Sequence, residues 1–124
     1  MQYKLNYDSE LKCVVLRIEK GKVTFEWIRE TVPKVAEICS KNECKLFLND
    51  MSAAEIDVSL LEIYTSPRVI EESGLSDGIK RALVKPRKFK KANFLRSATK
   101  GRNHDFMVFD DIDEAKEWLF SDTE

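Results

Sequence analysis

The sequence predicts an α/β fold in the order ββαβαβαβα: a sheet of about five strands that opens with an antiparallel hairpin, continues mostly parallel, and carries helices packed on it. Three observations carry that prediction. Tyr3, Leu5 and Tyr7 alternate with polar residues, the period of a half-buried strand, and a second apolar run follows directly across a turn. Short apolar runs then alternate with longer segments whose apolar residues recur at steps of three and four. Strands separated by helices need crossover connections, so those after the hairpin are expected to run parallel.

Each element has its own local reason. Asp8-Ser9-Glu10 reads as the hairpin turn, and Cys13-Val14-Val15-Leu16-Arg17-Ile18 as the second strand. Gly21 breaks that strand, and Thr24 then caps a helix with Glu26 and Glu30 near its positive end. Phe25, Ile28, Val32, Val35 and Cys39 form one apolar stripe, in which Pro33 is expected to kink or split the helix. Lys45–Asp50 is short and apolar, as an interior strand should be, and Met51–Val58 reads as a connection. Ser59-Leu60-Leu61-Glu62 is a capping box that opens a second helix, with Leu60, Ile63, Tyr64, Val69 and Ile70 as its inner face. Pro67 interrupts this helix and Gly74 stops it. Lys80–Lys85 is a strand closed by Pro86. Phe89, Ala92, Leu95, Ala98 and Thr99 mark a third helix, and Phe106–Phe109 is the last strand. The last helix opens at Asp111-Ile112-Asp113-Glu114 and turns Ile112, Ala115, Trp118 and Leu119 inward.

With 124 residues, of which 43% are hydrophobic, the chain can bury one ordinary core, so residues 1–124 are expected to form a single domain. No apolar run approaches the ~20 residues that cross a bilayer. The N-terminal residues lack the apolar stretch of a secretory signal. Cys13, Cys39 and Cys44 are odd in number and have neither CxxC nor Cys/His spacing, which argues against a disulfide framework and against a zinc site. A cytoplasmic protein is the expectation.

The net charge of −1 hides an asymmetry. Between Ile79 and Arg102 there are ten basic residues and no acidic one, so the remainder carries eleven basic residues against 22 acidic. Such a division points to an anionic partner or to internal pairing. Arg87, Lys88, Lys90 and Lys91 are the candidate anion-binding residues, because they fall near the start of the third helix, where the macrodipole disfavours cations. They serve either to solvate an exposed face and pair with the protein's own acids, or to attract phosphate, an anionic lipid headgroup or nucleic acid.

Catalytic chemistry has little support. The carboxyl ends of the parallel strands, where α/β sheets place their sites, hold Asn49-Asp50, Lys85-Pro86 and Phe109-Asp110-Asp111. An acidic metal-binding or phosphoacceptor pocket would need paired acids after the first strand, which instead enters a hairpin. His104 is the only histidine and lies between Asn103 and Asp105 in a turn that needs no catalytic role. No glycine-rich phosphate loop or GxSxG elbow is present. The expectation is a non-enzymatic protein with no metal and no cofactor. Ser59 is first a helix cap and second a candidate phosphorylation site, where backbone N–H groups and the helix end would hold a phosphate against the repulsion of Asp57 and Glu62.

The element order and the segment Leu46–Tyr64 together resemble the SpoIIAA-like group, the STAS domains typified by anti-sigma factor antagonists. The most specific piece is an apolar strand ending in Asn49-Asp50, a loop, and Asp57-Val58-Ser59-Leu60 opening a helix. In sigma-regulating members the matching stretch carries an Asp-Ser-Ser-Gly-like motif whose serine or threonine a partner kinase phosphorylates. Asp57 and Ser59 take the matching positions, while Val58 stands where a small hydroxyl residue is common and Leu60 replaces the glycine. The resemblance implies a SpoIIAA-like (STAS) sheet and a regulatory domain that binds a protein partner through Asp50, Ser52, Asp57 and Ser59. Similarity to the stand-alone STAS/SEC14-type branch implies an alternative, a small apolar ligand or anionic lipid held between sheet and helices. Nucleic-acid binding through residues 79–102 comes third.

Overall fold

The computed structural model describes residues 1–121. Strand β1 (Gln2–Asp8) turns into β2 (Cys13–Lys20) because Asp8 Oδ1 accepts the amides of Glu10 and Leu11, each at 3.0 Å. The two strands pair antiparallel with Tyr3 opposite Ile18, Leu5 opposite Leu16 and Tyr7 opposite Val14. Strands β4 (Leu46–Asp50), β6 (Lys80–Val84) and β7 (Phe106–Phe109) then add in parallel to give the order β1-β2-β4-β6-β7.

The alternation of side chains divides the molecule into layers. Cys13, Leu48, Ala82 and Val84 point to one sheet face, where helix α4 (Ile112–Leu119) covers them with Ala115 and Leu119. Val14, Leu16, Phe47 and Leu83 point to the other, under helices α1 (Phe25–Lys41), α2 (Leu60–Ser73) and α3 (Ala92–Thr99). Thr24, Ser59 and Asp111 cap α1, α2 and α4 through their side-chain oxygens.

The structure departs from the sequence reading in four places. Residues 51–58 are not merely a connection: β5 (Glu55–Asp57) pairs in parallel with β3 (Lys22–Thr24), which follows Gly21, in a separate two-stranded sheet. Three-residue strands are too short to show a period, and their pairing is non-local. Neither proline splits its helix. Pro33 is exposed, so the Arg29 carbonyl it leaves unpartnered lies on the solvent side. Pro67 is buried, and there Ser66 Oγ donates to the Ile63 carbonyl at 2.7 Å, replacing the missing helical bond.

The inner face of α2 matches the expected one only in part: Ile63 and Ile70 turn toward the core as expected. Ile63 and Pro67 are buried, whereas Leu60 and Tyr64 are exposed. Finally, α3 starts at Ala92 rather than around Phe89. The amide of Phe89 bonds the Pro86 carbonyl at 3.1 Å in a separate turn, and Phe89 reaches the core from there. Arg87, Lys88 and Lys90 therefore lie on the β6–α3 loop, and Lys91 is the N-cap of α3 without a side-chain cap bond.

Candidate functional site

The start of α2 combines a regular helix cap with an irregular surface. Ser59 Oγ accepts the Glu62 amide at 3.2 Å, and Glu62 Oε1 accepts the Ser59 amide at 2.9 Å, the reciprocal bonds that the sequence pattern requires. The hydroxyl nevertheless belongs to an exposed residue. Around it, Leu60, Leu61 and Tyr64 are 44%, 77% and 48% exposed, and Phe94 of α3 meets Tyr64 edge-on at 6.5 Å between ring centroids. Four large apolar side chains on adjacent helices thus face outward beside one hydroxyl. An isolated exposed leucine needs no explanation, but a cluster at one helix end does.

The other members of the expected partner surface separate. Ser52, Asp57 and Ser59 are exposed. Asp50 is buried: its Oδ1 accepts the Ser52 amide at 3.1 Å and the Ser52 hydroxyl at 2.7 Å, and its Oδ2 lies 3.5 Å from Arg17 Nε. Its carboxylate is spent on holding the start of the β4–β5 loop, which takes it off the exposed surface. Asp57 lies 3.9 Å from Lys22.

Nine of the ten cations in the tract separate into two groups. Five of its members are engaged internally. Lys80 donates to the Trp118 carbonyl at 2.6 Å, Lys85 pairs with Asp110 at 2.6 Å, and Arg96 donates to the Val108 carbonyl at 3.3 Å. Arg81 and Arg102 join the chain described below. Arg87, Lys88, Lys90 and Lys91 instead line a cleft of about 1050 Å³ at the carboxyl ends of the parallel strands, whose lining also includes Ser52, Asp110 and Asp111. Lys91 links this cleft to α2, because its Nζ donates to the Val58 carbonyl, one residue before Ser59, at 3.0 Å. The structure thereby joins the candidate anion-binding residues to Ser52 and Ser59, which the sequence alone left unconnected. Lys85 holds the Asp110 carboxyl below its usual range by hydrogen bonding and charge.

His104 has a position that its sequence context did not signal. Its imidazole has no exposed surface; Nδ1 accepts from Arg81 Nη2 at 2.5 Å and Nε2–H donates to Glu71 Oε2 at 2.8 Å. Glu71 at the end of α2 is in turn gripped by Arg102 through bonds of 2.8 and 2.6 Å. The Arg102 and His104 hydrogen bonds bring the Glu71 carboxyl down to about 2. Arg81, only 4% exposed, stacks its guanidinium over the Phe106 ring at 4.9 Å, and desolvation lowers its pKa to about 10. No spacing rule links Glu71, Arg81, Arg102 and His104, since three elements bring them together. Burial raises the thiols of Cys13 to about 12 and Cys39 to about 11, so neither is a ready nucleophile at neutral pH. Among the described residues no helix is long and apolar enough to cross a membrane.

No family model matches the chain, and no curated protein matches its sequence. Solved structures do match its fold. The anti-sigma factor antagonist SpoIIAA in its unphosphorylated form superposes with a TM-score of 0.52 at 11% identity, over 95% of this chain and 97% of that one. An uncharacterized protein of the DUF3478 family with a SpoIIAA-like fold, from Shewanella loihica PV-4, gives a TM-score of 0.57 at 18% identity, over 95% and 92% of the two chains. The chain has the SpoIIAA-like fold that its element order led us to expect.

Proposed function

We propose that this chain is a non-catalytic regulatory domain of STAS type, and that it binds a protein partner through the start of α2 under the control of phosphorylation at Ser59. The observation that carries this reading is the cluster of Leu60, Leu61, Tyr64 and Phe94, exposed together around the Ser59 hydroxyl. The basic loop beside it argues for the partner's chemistry: an apolar residue or two to cover Leu61 and Tyr64, flanked by acids that meet Lys90 and Lys91. A phosphate on Ser59 would lie at the positive end of α2, near the Lys91 ammonium held on Val58, and would add negative charge to the docking face. The likeness to an anti-sigma factor antagonist solved in an unphosphorylated form agrees with this assignment.

Incorporation of a photo-crosslinking residue at Leu61, in the cells that make the protein, tests the proposal. A discrete crosslinked protein is expected, with a yield that Ser59→Asp changes by about tenfold through charge repulsion with an acidic partner. The same probe at exposed Glu37 on α1 is expected to give no such adduct. Identical adducts at positions 61 and 37, together with no phosphate on Ser59 in the purified protein, would overturn it.

A further inference from the structure

A cavity of about 120 Å³ lies between the sheet and helices α1, α2 and α3. Its wall is almost entirely hydrocarbon, including Val35, Leu83 and Phe106. Four polar residues, Thr31, Asn49, Ser66 and Arg81, interrupt that lining, and two of them bring a buried atom with no partner among the described residues: Nε of Arg81 and Oδ1 of Asn49. The β4–β6 register explains why they share one wall. Phe47 pairs with Arg81 and Asn49 with Leu83, so Asn49 and Arg81 are diagonal neighbours on the same sheet face. Arg81 cannot readily turn away, because its Nη2 is held by His104 and its guanidinium lies over Phe106. A buried donor and a buried acceptor left without partners in a hydrocarbon wall are costly, and a ligand that satisfies both gains what the fold forgoes.

We propose that this cavity is a binding site for a small, neutral, hydroxyl-bearing apolar molecule of about the size of phenol. A hydroxyl accepts from Arg81 Nε–H and donates to Asn49 Oδ1, whereas a carboxylate would meet Asn49 Oδ1 as a second acceptor. Size sets the rest. The volume is below the ~300 Å³ at which pockets for drug-sized ligands begin, which leaves no room for a diacyl lipid, and it is close to that of cavities of about 150 Å³ that take up benzene. The basic loop, for its part, lines the open cleft and not this cavity.

The experiment is a titration of the full-length protein with phenol and, separately, with toluene, followed by the methyl resonances of Val35 and Leu83. Phenol is expected to bind about tenfold more tightly than toluene, the value of roughly one net hydrogen bond. Intermolecular nuclear Overhauser contacts to those methyls are expected to place it in the cavity. In Asn49→Leu, which leaves only the bond from Arg81, the preference is expected to fall to about threefold. Absence of saturable shifts with either compound, equal affinity of the two for the wild type, or a preference undiminished in Asn49→Leu would each overturn the proposal. The wild-type comparison stands whether or not the variant folds.

Discussion

The two ends of helix α2 use similar residue types in opposite ways. At its start Ser59 and Glu62 satisfy each other, and Leu60, Leu61 and Tyr64 are left facing outward. At its end Glu71 is drawn into a line of hydrogen bonds that runs through His104 to buried Arg81 and is closed by Arg102. The C-terminal end is thus committed to the protein's own interior. The N-terminal end is locally complete, needs nothing further from the chain, and still presents apolar surface. A polar cluster whose members answer one another serves the fold, while the exposed apolar cluster is what the proposed partner would cover.

The largest expected effect breaks the committed end. His104→Leu removes the acceptor of a buried guanidinium, and we expect a loss of about 3 kcal/mol in urea unfolding, because one partner of a buried charge is deleted. The acid limb of stability sharpens the same point. Glu71 is held at about 2 against its ordinary 4.5, so its contribution is complete above pH 4.5 and is lost as pH falls toward 2. In Glu71→Gln the stability profile across that window is expected to be flatter than in the wild type.

Smaller effects are expected at the other end. Ser59→Ala removes the cap and should cost about 1 kcal/mol in the same unfolding assay. Leu61→Lys changes an exposed side chain and should alter stability by no more than about 0.5 kcal/mol, while a photo-crosslinker at the adjacent Leu60 loses its adduct. A Leu61→Lys variant that unfolded like His104→Leu would collapse the distinction between the two ends.

How much of this could be read beforehand follows from how local each signal is. The capping pattern of Ser59 and Glu62, the Thr24 and Asp111 caps, the Asp8 turn and the alternation of Tyr3, Leu5 and Tyr7 are set within a few residues, and all are present in the fold. The C-terminal stop at Gly74 is equally local, since its φ of 84° suits a residue without a Cβ. Pro33 and Pro67 leave their helices unsplit because a proline's effect depends on where its freed carbonyl goes, to solvent in one case and to Ser66 in the other. The inner face of α2 misled because Leu60 and Tyr64 fit a helical period as well as Ile63 does, and only the packing partner decides which stripe turns inward.

The site divides in the same way. Ser59 was legible as a cap and as an exposed hydroxyl, and the basic tract as a charge asymmetry. That Arg87, Lys88, Lys90 and Lys91 would share a cleft with Ser52, while Asp50 turned inward, depended on the meeting of loops more than thirty residues apart. His104 reads from the sequence as an ordinary turn residue, since nothing near it in the chain signals Arg81 on one side and Glu71 on the other.

By itself, then, the sequence determined the order of the main elements, the hairpin, the helix caps and the opposed halves of charge, because each arises from short-range stereochemistry or from composition. The tertiary structure decided which cations are answered within the protein, which apolar side chains stay outside, and that Arg81 and Asn49 share one cavity wall. Those outcomes depend on strand register and on the packing of helices over the sheet, contacts between residues far apart in the chain that no local pattern records.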